Sequence, residues 1–197
     1  MVNVQVTIAL EENVLNSLNT NKGNSTSLAI GIRAMQFADS RTIGRITGNT
    51  AIGFEALKGS ATAANNTGQN NTAIGYQSML SNSTGYNNIS VGSFSMLSNT
   101  TGAENIAIGR GALTANTSGG QNIALGTNAI SSNTSGQRNV GIGLQSLQKN
   151  TTGISNVGIS TGSLNNNITG SNNIAIGDNS MSKNTTGNSN VSIGIQA

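Results

Sequence analysis

The chain has 197 residues, 35% of them hydrophobic, 8% charged and 3% aromatic, with 26 glycines and no Pro, Cys, His or Trp. Without His and Cys, the common general base, the thiolate nucleophile and the imidazole metal ligand are missing, and no disulfide framework exists. The formal net charge is +3, but the bases are scattered from Lys22 to Lys183, which lacks the clustered Lys and Arg of a nucleic-acid footprint.

Glycine counted as apolar brings the composition into the range of ordered proteins. Nothing marks a boundary between two globular cores, so one repetitive body behind a short leader is expected. In the leader, Val2, Val4, Val6, Ile8 and Leu10 alternate with Asn3, Gln5 and Thr7, the pattern of a half-buried strand. Leu10, Val14, Leu15 and Leu18 are spaced for two turns of helix, a piece marginal by itself. Residues 1–27 therefore form a strand and linker that either caps the body or attaches it to another protein; Val2, Val4, Val6 and Ile8 carry the candidate attachment strand. The leader has no basic n-region and no unbroken apolar core, so it does not read as a signal peptide. No stretch approaches the ~20 apolar residues of a membrane span, and no membrane insertion is expected.

From residue 28 to residue 197 the chain repeats. It starts weakly at Leu28 to Met35 and Asn49 to Leu57, then locks into a step of 17 residues with anchors at Gly75, Gly92, Gly109, Gly126, Gly143, Ser160, Gly177 and Gly194. The earlier anchors Gly31 and Gly53 stand 22 apart, as do Gly53 and Gly75. Those two turns carry extra residues within Gln36 to Gly48 and Lys58 to Asn66, which read as loops leaving one face of a solenoid. The first loop contains Asp39, Arg41 and Arg45, a charged irregularity that reads as a solvated loop or as a contact with a receptor or a neighbouring particle protein.

Around the anchor the columns are strict. Four residues before it stand Asn49, Asn71, Asn88, Asn105, Asn122, Asn139, Asn156, Asn173 and Asn190. Two before it, and three after it, only small residues occur; four after it the residue is always apolar, from Met35 to Met181. A second Asn column, Asn82 through Asn184, leads into a Thr/Ser pair and a second glycine, Gly85 through Gly187.

The period-two logic of NIAIG makes it a strand, with the two Ile on one face and the small residue on the other. The apolar residue four after the anchor is expected on a second short strand. The Asn-Thr-Thr-Gly segment has turn chemistry, with glycine supplying positive φ at the corner. One repeat is then one coil, and coils must stack in register to bury their apolar edges. The expected fold is all-β, a parallel β-roll or β-solenoid on the order of 48 Å long at ~4.8 Å per coil. Stacking turns the Asn columns into ladders of amides, each bonding its copies above and below; this is the structural role assigned to Asn71, Asn88, Asn105, Asn122, Asn139, Asn156, Asn173 and Asn190. The small columns are expected where another sheet approaches, and a thin rod has little core of its own, so self-association is predicted, with three chains around one axis favoured. Ala197 falls partway through a coil with no polar cap, so another protein or domain is expected to cover that end unless a longer parent continues it.

The pattern in NTAIGYQSM, NIAIGRGAL and NIAIGDNSM resembles the head repeats of YadA-like trimeric autotransporter adhesins. Similar repeats with the NTTG turn, here Asn150 to Gly153 and Asn184 to Gly187, also resemble those of bacteriophage tail-fibre proteins. The resemblance covers about residues 28 to 197 and implies a left-handed β-roll assembled as an intertwined or packed homotrimer that displays an adhesive surface. Ser160 departs from it by replacing the anchor glycine. The expected secretion signal and membrane anchor of a complete autotransporter are not seen, which favours a virion fibre.

The six acids, Glu11, Glu12, Asp39, Glu55, Glu104 and Asp178, share no column, and no phosphate loop or calcium repeat occurs. No enzyme activity, cofactor or metal is expected. The Asn-x-Ser/Thr triplets at Asn82, Asn99 and Asn150 match glycosylation sequons but follow from the repeated turn. The expected function is a virion structural protein, a tail or capsid fibre or adhesin subunit of a phage or phage-like particle. Its partners would be its own copies, another particle protein at one end, and a host surface receptor, a glycan among the classes considered. Two alternatives remain: a fragment of a bacterial cell-surface adhesin, and an ice-binding solenoid whose Thr and Asn ladders order water.

Overall fold

The computed structural model describes residues 27–37, 47–62 and 65–197. The candidate attachment strand (Val2, Val4, Val6, Ile8), the helical segment after it and the candidate contact loop (Asp39, Arg41, Arg45) lie outside the described residues. Within them, three-residue strands run from β1 (Leu28–Ile30), β2 (Thr50–Ile52), β3 (Thr72–Ile74), β4 (Ile89–Val91) and β5 (Ile106–Ile108) to β6 (Ile123–Leu125), β7 (Val140–Ile142), β8 (Val157–Ile159), β9 (Ile174–Ile176) and β10 (Val191–Ile193). All pair in parallel, in chain order, in a single sheet. Ala107 sits over Ala124 at one coil step, and Ala51 sits over Ala73 across the longer one. The fold is an all-β solenoid of 17-residue coils, and the strands joined by the two longer turns keep the same register.

The interior is narrower than the strand pattern suggests. In β5 the buried residue is Ala107, while Ile106 and Ile108 point outward and stay partly exposed. The small columns were expected on an outer packing face; instead they line the lumen. The reason is volume. Each coil sends one large side chain inward, Leu113 in this coil, and Leu113 together with Ala107 and Ala112 is fully buried, so the residues facing it must be small at close-packed density. Local compensation follows. A Cβ on Gly141 would lie 2.6 Å from Cγ1 of Ile130, the one β-branched residue in its column. Around Gly158, Ser146 donates its hydroxyl to the Gly158 carbonyl at 2.8 Å, and the Ser146 and Ser163 hydroxyls pair at 3.0 Å.

The expected second strand does not form. Leu113 has φ 50° and Ile130 φ 49°, single left-handed residues within a run of turns. Such a conformation costs an L-residue about 1–2 kcal/mol. Burying a Leu side chain contributes about 1.5–3 kcal/mol, and the Leu113 N–H donates to the Ala129 carbonyl of the next coil at 3.1 Å. The left-handed kink is what swings this side chain into the lumen, where a continued strand would not place it.

The corner also differs from expectation. Glycines of the second column, such as Gly119, do not have positive φ. The turn is held by three successive N–H groups, those of Thr117, Ser118 and Gly119, which donate to the Thr134 carbonyl at 3.0, 3.1 and 3.4 Å, a backbone nest around one oxygen. Gly119 is required by space. A Cβ there would fall on the Gly136 carbonyl oxygen and lie 2.7 Å from Nδ2 of Asn133.

In the central coils both Asn columns are buried and meet at that glycine. Oδ1 of Asn105 accepts from the Asn122 backbone N–H at 3.0 Å and from Asn122 Nδ2 at 3.1 Å. Asn105 Nδ2 donates to Asn88 Oδ1 at 3.1 Å and to the Gly119 carbonyl at 2.9 Å. From the second column, Asn116 Nδ2 donates to Asn99 Oδ1 at 2.8 Å and to the same Gly119 carbonyl at 2.9 Å. One carbonyl thus joins two amide ladders, and the bonds leave no buried donor of these amides unmet.

Removing a central rung therefore costs more than removing one at the exposed end. Asn105→Ala is expected to destabilise the chain by about 3 kcal/mol, because the buried Asn122 N–H and the Gly119 carbonyl lose partners at about 1–3 kcal/mol each. Asn190→Ala, where the residue is exposed, should cost under about 1 kcal/mol by the same principle; equal losses in urea unfolding would contradict the ladder account. Ser160 sits at φ 93° in a column whose glycines lie at 119° to 139°, and its hydroxyl bonds exposed Asp178. Ser160→Gly should raise stability by about 1 kcal/mol through relief of that backbone strain, and a lowered thermal midpoint would refute it.

Candidate functional site

The sheet presents two outward rows of Ile and Val. One runs through Ile89, Ile106, Ile123 and Val140, the other through Val91, Ile108, Leu125 and Ile142, each residue one coil above the last. Ile108 is 44% exposed. From β4 to β10 both rows are wholly apolar and mostly part-exposed, which is unusual on a monomer surface.

A second feature lies where the two longer coils give way to the regular 17-residue step. Just past the anchor, Phe54 and Tyr76 occupy one column, and Phe94 lies in the next. Phe54 and Tyr76 stack with centroids 5.2 Å apart and planes 10° apart; Phe94 meets Tyr76 edge-on at 5.2 Å. Tyr76 is 47% exposed. Beside the rings lie Arg33, Glu55 and Gln77, one per coil. The Glu55 side chain is 9% exposed and is enclosed by donors: Lys58 Nζ at 2.8 Å, Arg33 Nη1 at 3.2 Å and Gln77 Nε2 at 2.8 Å. The Lys58 hydrogen bond, seconded by Gln77 and Arg33, holds the Glu55 carboxyl below its ordinary value against the opposing effect of burial. Lys58 also lies 5.8 Å from the Phe37 ring centroid, within cation–π range.

The sequence pattern points to Asp39, Arg41 and Arg45 and not to this cluster. A signal was present. In a chain of 3% aromatic residues, Phe54, Tyr76 and Phe94 stand in columns that later coils fill with Ser93, Arg110, Gly111, Thr127 and Asn128.

The other sequence features are structural or closed. The sequon residues Asn99 and Asn150 are fully buried, and both amides donate twice, Asn150 to Asn133 Oδ1 at 2.9 Å and to the Gly153 carbonyl at 3.1 Å. At the corner, the Thr100, Thr117 and Thr134 hydroxyls donate to the carbonyl one coil on, at 3.0, 3.0 and 3.2 Å, so these hydroxyls are committed to the protein. A depression at the last coil is lined by Met181, Asn184, Asn190 and Ser192, the ladder and lumen side chains that the next coil covers elsewhere. Among the described residues no group of three or more acids gathers to hold a metal; Glu104 instead accepts from Gln121 at 2.9 Å.

No protein-family model, curated protein or solved structure matches this chain.

The Glu55 cluster sets a pH dependence. Its folded pKa lies below the ordinary 4.5, so the stability it contributes is complete above that value and is lost as pH falls through and below it. Glu55→Gln should be less stable than the parent at pH 7, with the gap closing as pH falls from about 5 toward 3. Thermal melts across that range read the difference directly, and a gap independent of pH would overturn the assignment.

Proposed function

We propose that the chain is a structural fibre or adhesin subunit of a phage or phage-like particle, built as a homotrimer of parallel β-rolls that displays a host-binding surface. The observation that carries this reading is the pair of outward Ile and Val rows along the sheet. A row repeated at every coil step is matched by an identical row on a second copy, so three rods around one axis bury both rows over their whole length. Closed cyclic symmetry of this kind ends growth at three chains and leaves no free apolar edge. The remaining surface, made of Asn, Ser, Thr and Gly, then faces solvent and the host.

The left-handed roll and the particle location rest on the resemblance to YadA-like head repeats and tail-fibre repeats. In this arrangement residues 1–27 attach the fibre, with Val2, Val4, Val6 and Ile8 pairing as a strand with a neighbouring particle protein. The loop bearing Asp39, Arg41 and Arg45 is assigned to the contact region, and the reading requires no enzyme chemistry, cofactor or nucleic acid.

Light scattering on the purified chain should give a mass three times the 19.9 kDa of one chain. Replacing two outward residues, Ile108→Lys with Ile142→Lys, should convert the trimer to monomer while the circular dichroism of the coils persists, because the like charges would meet across every copy of the interface. A stable monomer for the parent chain at micromolar concentration would refute the assembly.

A further inference from the structure

At the junction between the longer coils and the regular 17-residue coils, aromatic and charged side chains meet in one patch. Phe54, Tyr76 and Phe94 climb three successive coils in steps of 5.2 Å between ring centroids. Beside them a nearly buried carboxylate holds Arg33, Lys58 and Gln77 in place. We propose that this patch is a saccharide-binding site, and that its ligand is an extended bacterial surface polysaccharide of hexopyranose units.

The chemistry of the patch selects that class. A pyranose ring has an apolar C–H face and an edge of hydroxyls that both donate and accept. The exposed Tyr76 and its two neighbours supply apolar contact with a tyrosyl hydroxyl at the rim, a body and handle suited to a half-wet surface. Planar polar groups beside the rings supply the matching edge. With Nε2 committed to Glu55, Gln77 presents its Oε1 as an acceptor, and Arg33 presents a fork of N–H donors. The Glu55 hydrogen bonds fix these groups before a ligand arrives, which lowers the entropy lost on binding. Because Phe54 stacks on Tyr76 and Phe94 meets Tyr76 edge-on, the rings form one apolar ridge along the rod against which the C–H faces of an extended saccharide can lie. A protein partner would call for a larger continuous apolar surface, and here polar residues border the rings within one or two positions. The chain bends at the anchor glycine before reaching Phe54 and Tyr76, which takes the patch off the strand rows proposed to join the three copies.

This inference rests on the adhesin reading, and the experiment separates the two. The full chain is applied to a printed array of bacterial surface polysaccharides and their oligosaccharides, with mammalian glycans on the same slide, and in parallel to whole bacterial cells. Because the chain has two tyrosines and no tryptophan, a Tyr86→Phe background leaves Tyr76 as the sole strong emitter, and titration with an oligosaccharide that scores on the array should change its fluorescence. Tyr76→Ala should weaken that binding by about tenfold or more, as truncation of a central aromatic contact does. Gln77→Ala should weaken it severalfold while preserving the stacked rings, and thermal midpoints near the parent value would show that both variants fold. Tyr76→Phe, which repeats the Phe of the neighbouring coils, should retain most of the affinity. Undiminished glycan binding by both alanine variants would overturn the patch and leave the adhesin reading standing, as would adhesion to cells without binding to any glycan. Binding confined to mammalian glycans would overturn the assigned source. Adhesion to nothing would remove both readings.

Discussion

The structure depends on buried amides that find all their partners one coil away. At Gly119 a single carbonyl oxygen accepts from Asn105 and from Asn116 at 2.9 Å each, and each amide also reaches its copy below. Backbone pairing alone would tolerate a slip of the strands, since three-residue strands hold few ladder bonds. The amide network does not, because a shift by one residue would bury donors and acceptors without partners, at about 1–3 kcal/mol per group. Register is therefore set by side chains as much as by the sheet, and this explains how the longer turns between β1 and β3 and the shorter ones after β3 keep Ala51, Ala73 and Ser90 aligned.

A second constraint follows from the first. The joined ladders hold one corner of the coil, and the lumen that remains admits one large side chain per turn. Leu113, Ile130, Leu147 and Leu164 fill it in succession with no exposure, each from a left-handed backbone position. Everything opposite must be small, and where the large residue branches, as at Ile130, the facing residue shrinks to Gly141. Stability is thus spread evenly over nearest-neighbour interfaces, as in other solenoids, and the apolar residues that an ordinary domain would bury are left on the outside. That surplus, the Ile and Val rows, joins the physics of the coil to the proposed assembly.

Variation is permitted only where neither constraint acts. Columns just past the anchor face outward and touch no ladder, so they accept Ile32, Phe54, Tyr76, Arg110 or Asp178 without altering the coil. The proposed recognition patch uses these columns at the junction of the longer and the regular coils, where Glu55 gathers Gln77 and Arg33 from the coils on either side and Lys58 from its own.

The repeat, the parallel stacking and the placement of Asn in register were legible in the sequence, because a strict step of 17 residues with Asn at fixed offsets has few ways to satisfy its amides. The sequence by itself determined which residues stack on which. It could not decide which way they face. A strand pattern such as Ile106, Ala107, Ile108 allows either side to be the inside, and only the closed coil, with Leu113 arriving by a left-handed turn at φ 50°, shows that Ala faces in and Ile faces out. The same holds for Gly119, which reads as a flexible corner but is excluded from bearing a side chain by atoms of Gly136 and Asn133 in the coils that follow. Nor does spacing show that the Glu55 carboxylate, beside Phe54, collects Lys58, Arg33 and Gln77. Those facts belong to tertiary structure because they depend on volume and contact between coils, which spacing along one chain does not specify.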